Sequence, residues 1–189
     1  MKKIISFMAF LTIMFIGVGS SLAATHTVNK GDTYWKIGIQ YGVPVKSLTS
    51  TNKATNSMLS IGQKLTIPAT SMTSSEKELL ARLVEAEAKG ESYPGKVAVA
   101  TVVLNRVDSS HFPNSVNAVI YQSDQFTPVS NGQINKAASS ESKRAVNEAL
   151  AFRGQGSGSL YFYNPAKTTN TWLRSKTTTI KIGNHIFAK

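Results

Sequence analysis

Ten acidic residues are the whole carboxylate inventory of this 189-residue chain; cysteine is absent, and the histidines are His26, His111 and His185. Those counts remove thiolate nucleophiles, iron–sulfur clusters, disulfide scaffolds and cysteine-ligated zinc, and they leave no histidine-rich metal site. Carboxyl chemistry remains. Glu87 stands out by its place: Leu79, Leu80, Leu83 and Val84 recur at helical spacing, and Glu87 continues their stripe. A carboxylate on an apolar helix face is costly unless it is paired or its pKa rises. Two readings follow. Glu87 is either a buried carboxylate held by an arginine or backbone donors, or a general acid that keeps its proton near neutral pH and gives it to a leaving oxygen. Glu91 lies one turn on, beyond Lys89-Gly90, where it can approach Glu87; Glu78 and Glu85 are expected to point into solvent.

The elements that must hold these groups follow from apolar spacing and turn formers. Ser75-Glu76-Lys77-Glu78 has the capping-box pattern, so the Glu87 helix is expected to have its N-cap at Ser75. Pro94–Val107 is apolar on nearly all sides; its β-branched residues would permit a strand, but its length and leading proline fit a buried central helix better. Short amphipathic helices are expected at Asn114–Tyr121, with Val116, Val119 and Ile120 inward, and at Ser140–Arg153, with Ala145, Val146, Ala149, Leu150 and Phe152 inward and Gly154 as the stop. Ser159–Tyr163 then alternates, and Thr177–Ile182, Gly183-Asn184 and His185–Phe187 read as a β-hairpin. Residues 76–189 are thus a mainly helical domain with a small antiparallel sheet.

Upstream, residues 69–75 lie in an uncharged stretch rich in Pro, Ser and Thr and read as a linker. Residues 25–68 before it form a β-α-α-β pattern. His26-Thr27-Val28 alternates, Lys30-Gly31-Asp32-Thr33 turns, and Asp32 or Thr33 caps a helix that runs to Tyr41 and stops at Gly42. A second helix fits Pro44–Thr51, a strand closes the module within Gly62–Pro68, and Trp35 and Ile37 are expected in its core. Residues 1–24 have the layout of a secretory signal peptide: Lys2 and Lys3, the apolar run Ile4–Val18, and small residues with Ser21 and Ala23 at the −3 and −1 positions. That run is shorter than the roughly 20 residues that span a bilayer, and no later segment is apolar enough. The expectation is a secreted chain without a membrane span after cleavage. The full chain's net charge of +11, which loses two units with Lys2 and Lys3 on cleavage, then points to anionic wall polymers or lipid headgroups rather than nucleic acid.

The run HTVNKGDTYWKIGIQYGV, then LTSTN, then LSIGQKLTIP, resembles a LysM module from end to end. The resemblance implies binding of N-acetylglucosamine-containing glycans in a groove between Gly31, Asp32, Thr33 and Tyr34 on one side and Leu59, Ser60 and Ile61 on the other. Backbone amides, short side chains and an apolar wall suit a neutral sugar. A single module implies weak binding, because avidity comes from repeats.

The blocks AEAKGESYPGKVAVATVVLNRV, FPNSVNAVIYQSDQFTPVSNGQI, LYFYNPAKTTNTWL and IKIGNHIFAK resemble the spore cortex-lytic enzyme family of cell wall hydrolases, in order from about Glu78 to Lys189. The resemblance implies a lysozyme-like fold and an enzyme that cleaves between N-acetylmuramic acid and N-acetylglucosamine as a lytic transglycosylase, without cofactor or metal. It makes Glu87 the essential glutamate of the AEAKGE motif and Glu91 the second. It also places Phe126, Thr127, Tyr161, Tyr163 and Asn164 at the border of the sugar cleft, with Phe162 beside them. A transglycosylase needs one carboxyl group, because the substrate's 6-hydroxyl replaces the water of ordinary glycosidases. Asp108 and Asp124, in loop-like segments, are the remaining contenders for a second carboxylate. His185 recurs in the terminal motif and is expected to make a structural hydrogen bond.

The expected architecture is therefore α+β: a small LysM module followed by a mainly helical lysozyme-like domain. The expected partner is the glycan strand of peptidoglycan, the place is the cell wall or spore, and the chain is expected to be monomeric. The LysM module leaves cortex lysis in germination and wall turnover in growth or sporulation both open. A muramidase-type hydrolase using water and an inactive wall-binding protein are the alternatives.

Overall fold

Thr33 opens the first helix among the described residues, its hydroxyl accepting from the Lys36 amide at 3.1 Å. That helix, α1 (Tyr34–Tyr41), ends at Gly42, whose left-handed backbone (φ 59°) turns the chain back onto the helix. The computed structural model describes residues 24–189, and the signal-peptide reading of residues 1–24 falls almost wholly outside them. Strand β1 (Thr25–Thr27) pairs antiparallel with β2 (Lys64–Thr66), His26 opposite Leu65, and α2 (Val45–Thr51) completes the β-α-α-β unit. Val28, Tyr34, Ile37, Leu48 and Leu65 fill its core. Trp35 does not: it is 38% exposed and meets Phe152 of the following domain edge to face, with ring centroids 6.2 Å apart. The helical stripe of this short module holds Ile37 inward, and the neighbouring position faces the second domain.

The Glu87 helix, α3 (Ser74–Glu87), starts earlier than Ser75 would allow. Thr73 is the N-cap, and the reciprocal bonds run from Glu76 N to Thr73 Oγ1 (3.2 Å) and from Thr73 N to Glu76 Oε2 (2.9 Å). Thr73 stands three residues before Glu76, as the capping box requires, and Met72 beside it is buried in the domain core, which fixes where the chain enters. Ser71 accepts a bond from Arg153 at 2.9 Å. Much of the stretch read as linker is therefore tied down.

Next comes α4 (Tyr93–Val107), the buried central helix, with Pro94 in its first turn and Val99, Ala100, Val102, Val103 and Leu104 fully enclosed. α5 (Val116–Ile120) is shorter than expected, because Ser115 caps it through the Ala118 amide. A single turn, α6 (Thr127–Ser130), and a 3-10 turn at Gln133–Asn135 lead to α7 (Ser140–Phe152), which packs against α1, α3 and α4. Glu85 is half-exposed but does not point freely into solvent. Its carboxylate caps α7, accepting from the Ser139 amide (3.2 Å), the Ser139 hydroxyl and the Ser142 hydroxyl (2.6 Å). Glu78 pairs with Lys143 at 2.9 Å. The sheet has the order β3 (Tyr161–Tyr163), β5 (His185–Ala188), β4 (Thr178–Ile182), all neighbours antiparallel, with the four-residue α8 (Thr171–Arg174) between β3 and β4. The fold class is α+β, as the sequence indicates.

Candidate active site

Glu87 is the last residue of α3, one helical repeat beyond the buried Leu80 and Leu83, so the core that holds the helix also holds the carboxyl group. It faces a cleft of about 490 Å³. Among the described residues no cation lies within ion-pairing distance of Glu87, and no donor bonds to it. Burial alone therefore acts on it, and pushes its pKa up to about 7. At neutral pH a large share of the groups carry a proton. Of the two readings left open by the sequence, the structure excludes the carboxylate held by arginine or backbone donors.

The opposite wall comes from Gln122–Thr127, with Phe126 buried and Thr127 exposed at the start of α6. Tyr161 and Phe162 of β3 line one end, and Asn170, which caps α8, with Trp172 and Leu173 of that helix form the rim. Trp172 is 53% exposed; its ring meets Tyr161 edge to face at 5.1 Å, and the Lys176 ammonium sits 4.0 Å from its centroid. One face of the indole is thus occupied by a cation, a geometry that adds to the packing of the rim. Of the sequence-expected residues, Glu87, Phe126, Thr127 and Tyr161 are brought together here.

Three others are not. Tyr163 is buried under the sheet, and Asn164 turns its side chain to the Ala166 amide at 2.9 Å. Glu91 lies beyond Gly90 and faces the β4–β5 turn instead of the cleft. Asn184 donates to it twice, from its amide to Oε2 at 3.2 Å and from Nδ2 to Oε1 at 3.1 Å. Burial would raise its pKa, but these two bonds with the His185 and Lys167 charges outweigh burial and hold it below the ordinary carboxylate value. His185 lies between Phe162 and Phe187, its Nδ1 3.8 Å from Glu91 Oε1 and without a hydrogen-bond partner, so the bond expected of it is not made on that nitrogen. Burial lowers its pKa, and the facing Glu91 carboxylate acts against that shift. Asp108 is occupied by Arg153 at the end of α4. Asp124 does line the cleft, on a left-handed backbone (φ 59°) that is uncommon for a residue with a side chain.

Arg106 is the part of the site that sequence reasoning missed. It is only 6% exposed, donates to Leu160 O (2.8 Å) and Gln125 Oε1 (3.1 Å), and lies over the rings of Phe112, Phe126 and Tyr161 at 4.8, 5.4 and 5.7 Å. One side chain thereby braces both walls. Its one sequence signal is a cation at the end of an otherwise apolar helix. A second cavity of about 360 Å³ lies beside α4, among Val97, Phe152 and Ile180. Its walls are nearly all apolar and its one carboxylate, Glu148, accepts from Tyr93 Oη at 2.7 Å, so it offers no free acid or base.

In the β-α-α-β module, Gly31 takes φ 87°, and Asp32 accepts from the Asn29 amide (2.8 Å) and lies 2.9 Å from His26 Nε2. Asp32 therefore closes the turn, and Thr33 does the capping. Tyr34 is buried, Leu59 packs on the core, Ser60 is exposed with its amide on Gln63, and Ile61 is 72% exposed. No helix among the described residues is long and apolar enough to cross a membrane.

Comparison with known proteins bears on both regions. The LysM domain family matches residues 26–68, and the cell wall hydrolase family matches residues 90–188. The spore cortex-lytic enzyme of Bacillus cereus is 37% identical over 163 residues, which are 86% of this chain and 58% of that protein. The spore cortex-lytic enzyme of Bacillus subtilis is 40% identical over 111 residues, 59% of this chain and 36% of that one. The chain thus spans little more than half the length of the first of these relatives. Among solved structures, the catalytic domain of the germination-specific lytic transglycosylase SleB from Bacillus anthracis superposes with a TM-score of 0.60 at 38% identity, covering 65% of this chain and all of that one.

Proposed function

Since the chain belongs to the cell wall hydrolase family, we propose that it cleaves the glycan strands of peptidoglycan as a lytic transglycosylase, with Glu87 as its single acid and base. The observation that carries this reading is a carboxyl group pushed up to about 7 in a polar cleft, with no cation paired to it. Protonated Glu87 donates to the glycosidic oxygen between N-acetylmuramic acid and N-acetylglucosamine as the C1–O bond breaks. The resulting carboxylate takes the proton of the muramic 6-hydroxyl, whose oxygen closes on C1, leaving a 1,6-anhydro end. Glu87 thus passes from carboxylic acid to carboxylate and back, and no water is consumed. Phe126, Tyr161, Phe162 and Trp172 supply ring faces for pyranoses, and Thr127 and Asn170 supply polar groups for hydroxyl and acetamido substituents.

Glu91, Tyr163 and Asn164 act indirectly in this reading. Glu91 anchors the β4–β5 turn to the end of α3, and the sheet so held presents Phe162 to the cleft. The β-α-α-β module holds the chain on the wall through Gly31, Asp32, Thr33, Tyr34, Leu59, Ser60 and Ile61. The protein works outside the cell as a monomer, on cortex or vegetative wall. Asp124, in the same cleft, favours one second reading, a hydrolase in which it activates water. Mass spectrometry of the muropeptides released from purified sacculi and from spore cortex tests the choice. Products 18 Da lighter than their hydrated forms are expected; reducing ends establish the hydrolase, and no release from either wall leaves a binding protein.

A further inference from the structure

One face of α3 is not used by the core or by the cleft. Arg82, Glu85, Ala86 and Lys89 follow one another at the i, i+3, i+4 and i+7 spacing of a single helix face. Together with Gln133 and Lys136, from the segment between α6 and α7, they line a separate cavity of about 200 Å³. Three cations and one carboxylate meet there, and the carboxylate is already spent: Glu85 Oε2 accepts from Ser139 and Ser142 at the start of α7. Among the described residues Arg82, Lys89 and Lys136 form no ion pair. More telling is Arg82 Nε, which is closed off from solvent and has no hydrogen-bond partner. A buried donor left unmatched costs about 1–3 kcal/mol, and native structures seldom tolerate one without a ligand or water to meet it.

From these observations we infer that the Arg82–Lys136 cavity is an oxyanion site that takes a carboxylate of the peptide stem carried by the muramic acid residues of the glycan. This rests on the proposed action on peptidoglycan and adds a second point of contact to it. The position fits. Ala86 lines this cavity and its neighbour Glu87, about 100° further round the helix axis, lines the cleft, so the two lie on different sides of the last turn of α3. A helix with its side chains is about 10–12 Å across, and four extended residues reach up to about 14 Å. A stem leaving a muramic acid seated at Glu87 can therefore pass round the end of α3 to the cavity. Guanidinium is suited to the task because its planar fork meets both oxygens of a carboxylate, while Lys89 and Lys136 add charge without fixing direction.

The test uses the full chain and two readouts. A soluble disaccharide tetrapeptide is titrated calorimetrically, with its stem carboxylates free or converted to amides, into the unaltered protein, Arg82→Gln and Lys136→Gln. Release of soluble muropeptides is then followed on sacculi stripped of wall phosphate and on unstripped sacculi. The expected result is about tenfold weaker binding for Arg82→Gln and a smaller loss for Lys136→Gln, a further loss on amidation in Lys136→Gln but not in Arg82→Gln, and a raised KM with kcat unchanged on both kinds of sacculi. Lys136 is exposed, so its variant folds even where Arg82→Gln does not. Equal binding of free and amidated stems by the unaltered protein overturns the proposal, as does variant binding that matches the unaltered protein. A KM effect that disappears when phosphate is stripped assigns the site to a phosphodiester polymer and overturns the carboxylate. Stem-dependent binding without any muropeptide release leaves the site standing and instead removes the proposed cleavage.

Discussion

Glu87 and Glu91 are four residues apart, on either side of Gly90, and share one motif, yet they end in opposite electrostatic states. At the cleft, the carboxyl group meets apolar core and receives no donor, so burial raises its pKa to about 7. At the β4–β5 turn, the carboxylate receives two bonds from Asn184 and the field of His185 and Lys167, and its pKa falls despite burial. The same side chain therefore holds its proton more tightly where partners are withheld and anchors a turn where they are supplied. What separates them is the left-handed Gly90 (φ 83°), which takes the chain out of α3 and aims Glu91 at the sheet.

Four experiments would break or sharpen this contrast. The largest effect is expected from Glu87→Gln. Muropeptide release should fall by about 10²–10⁴-fold, the range of a lost general acid, with wall binding intact. Because the folded pKa lies above the unfolded one, the unaltered protein loses stability as pH rises from about 4.5 through 7. The loss is on the order of 3 kcal/mol. Glu87→Gln should therefore raise the melting temperature at pH 8 and leave it nearly unchanged at pH 4.5, and the activity of the unaltered protein should decline as pH rises past about 7. Equal melting gains at both pH values would contradict the buried, unpaired state of Glu87.

Glu91→Ala should act the other way, costing about 1 kcal/mol in denaturant unfolding through the loss of two hydrogen bonds, since the donors of the exposed Asn184 then turn to water. Glu91→Gln retains an acceptor and should recover part of that. The difference between Glu91 and Gln belongs to the ionised form. It is present above the ordinary carboxylate pKa and vanishes as pH falls through the lowered one. If Glu91→Gln abolished lysis with stability intact, Glu91 would belong to the chemistry and the contrast would fail.

Gly183→Ala probes the anchor from its other side. Gly183 has φ 54°, and an added Cβ would come within 2.3 Å of Glu91 Oε2. The cost should be about 1–2 kcal/mol, partly backbone strain and partly displacement of the carboxylate. In a Glu91→Ala background calorimetry should find that cost reduced. Trp172→Ala should give the smallest effect, a few-fold increase in KM with the melting temperature held, because its ring is exposed at the rim.

Much of this was legible in the sequence. The α3 stripe placed Glu87 on the buried face, the central helix and the terminal hairpin were visible in their periodicity, and Phe126, Thr127 and Tyr161 do reach the cleft. What escaped depends on partners distant in the chain. Asn184 lies 93 residues from Glu91, and Ser139 lies 54 from Glu85, so neither bond leaves a local mark. Arg106 was hidden by its surroundings, since one cation in an apolar run gives no sign of the three rings that receive it. The single-turn helices α6 and α8 are too short to show a period at all.

The contact of Trp35 with Phe152 extends into a firmer seam. Lys77 Nζ reaches the carbonyl oxygens of Tyr41 and Gly42, and a methyl group added at Gly38 would stand 3.3 Å from the side chain of Ala151. The front module is thus bolted to the helix behind it, and residues 69–75 behave less as a tether than as a hinge pin with no swing. A tethered module would sample a sphere of wall around its anchor. Under the proposed function a bolted one works like a caliper, with a single gap between its jaws, so that grip on the wall would also select which bonds along a strand come within reach.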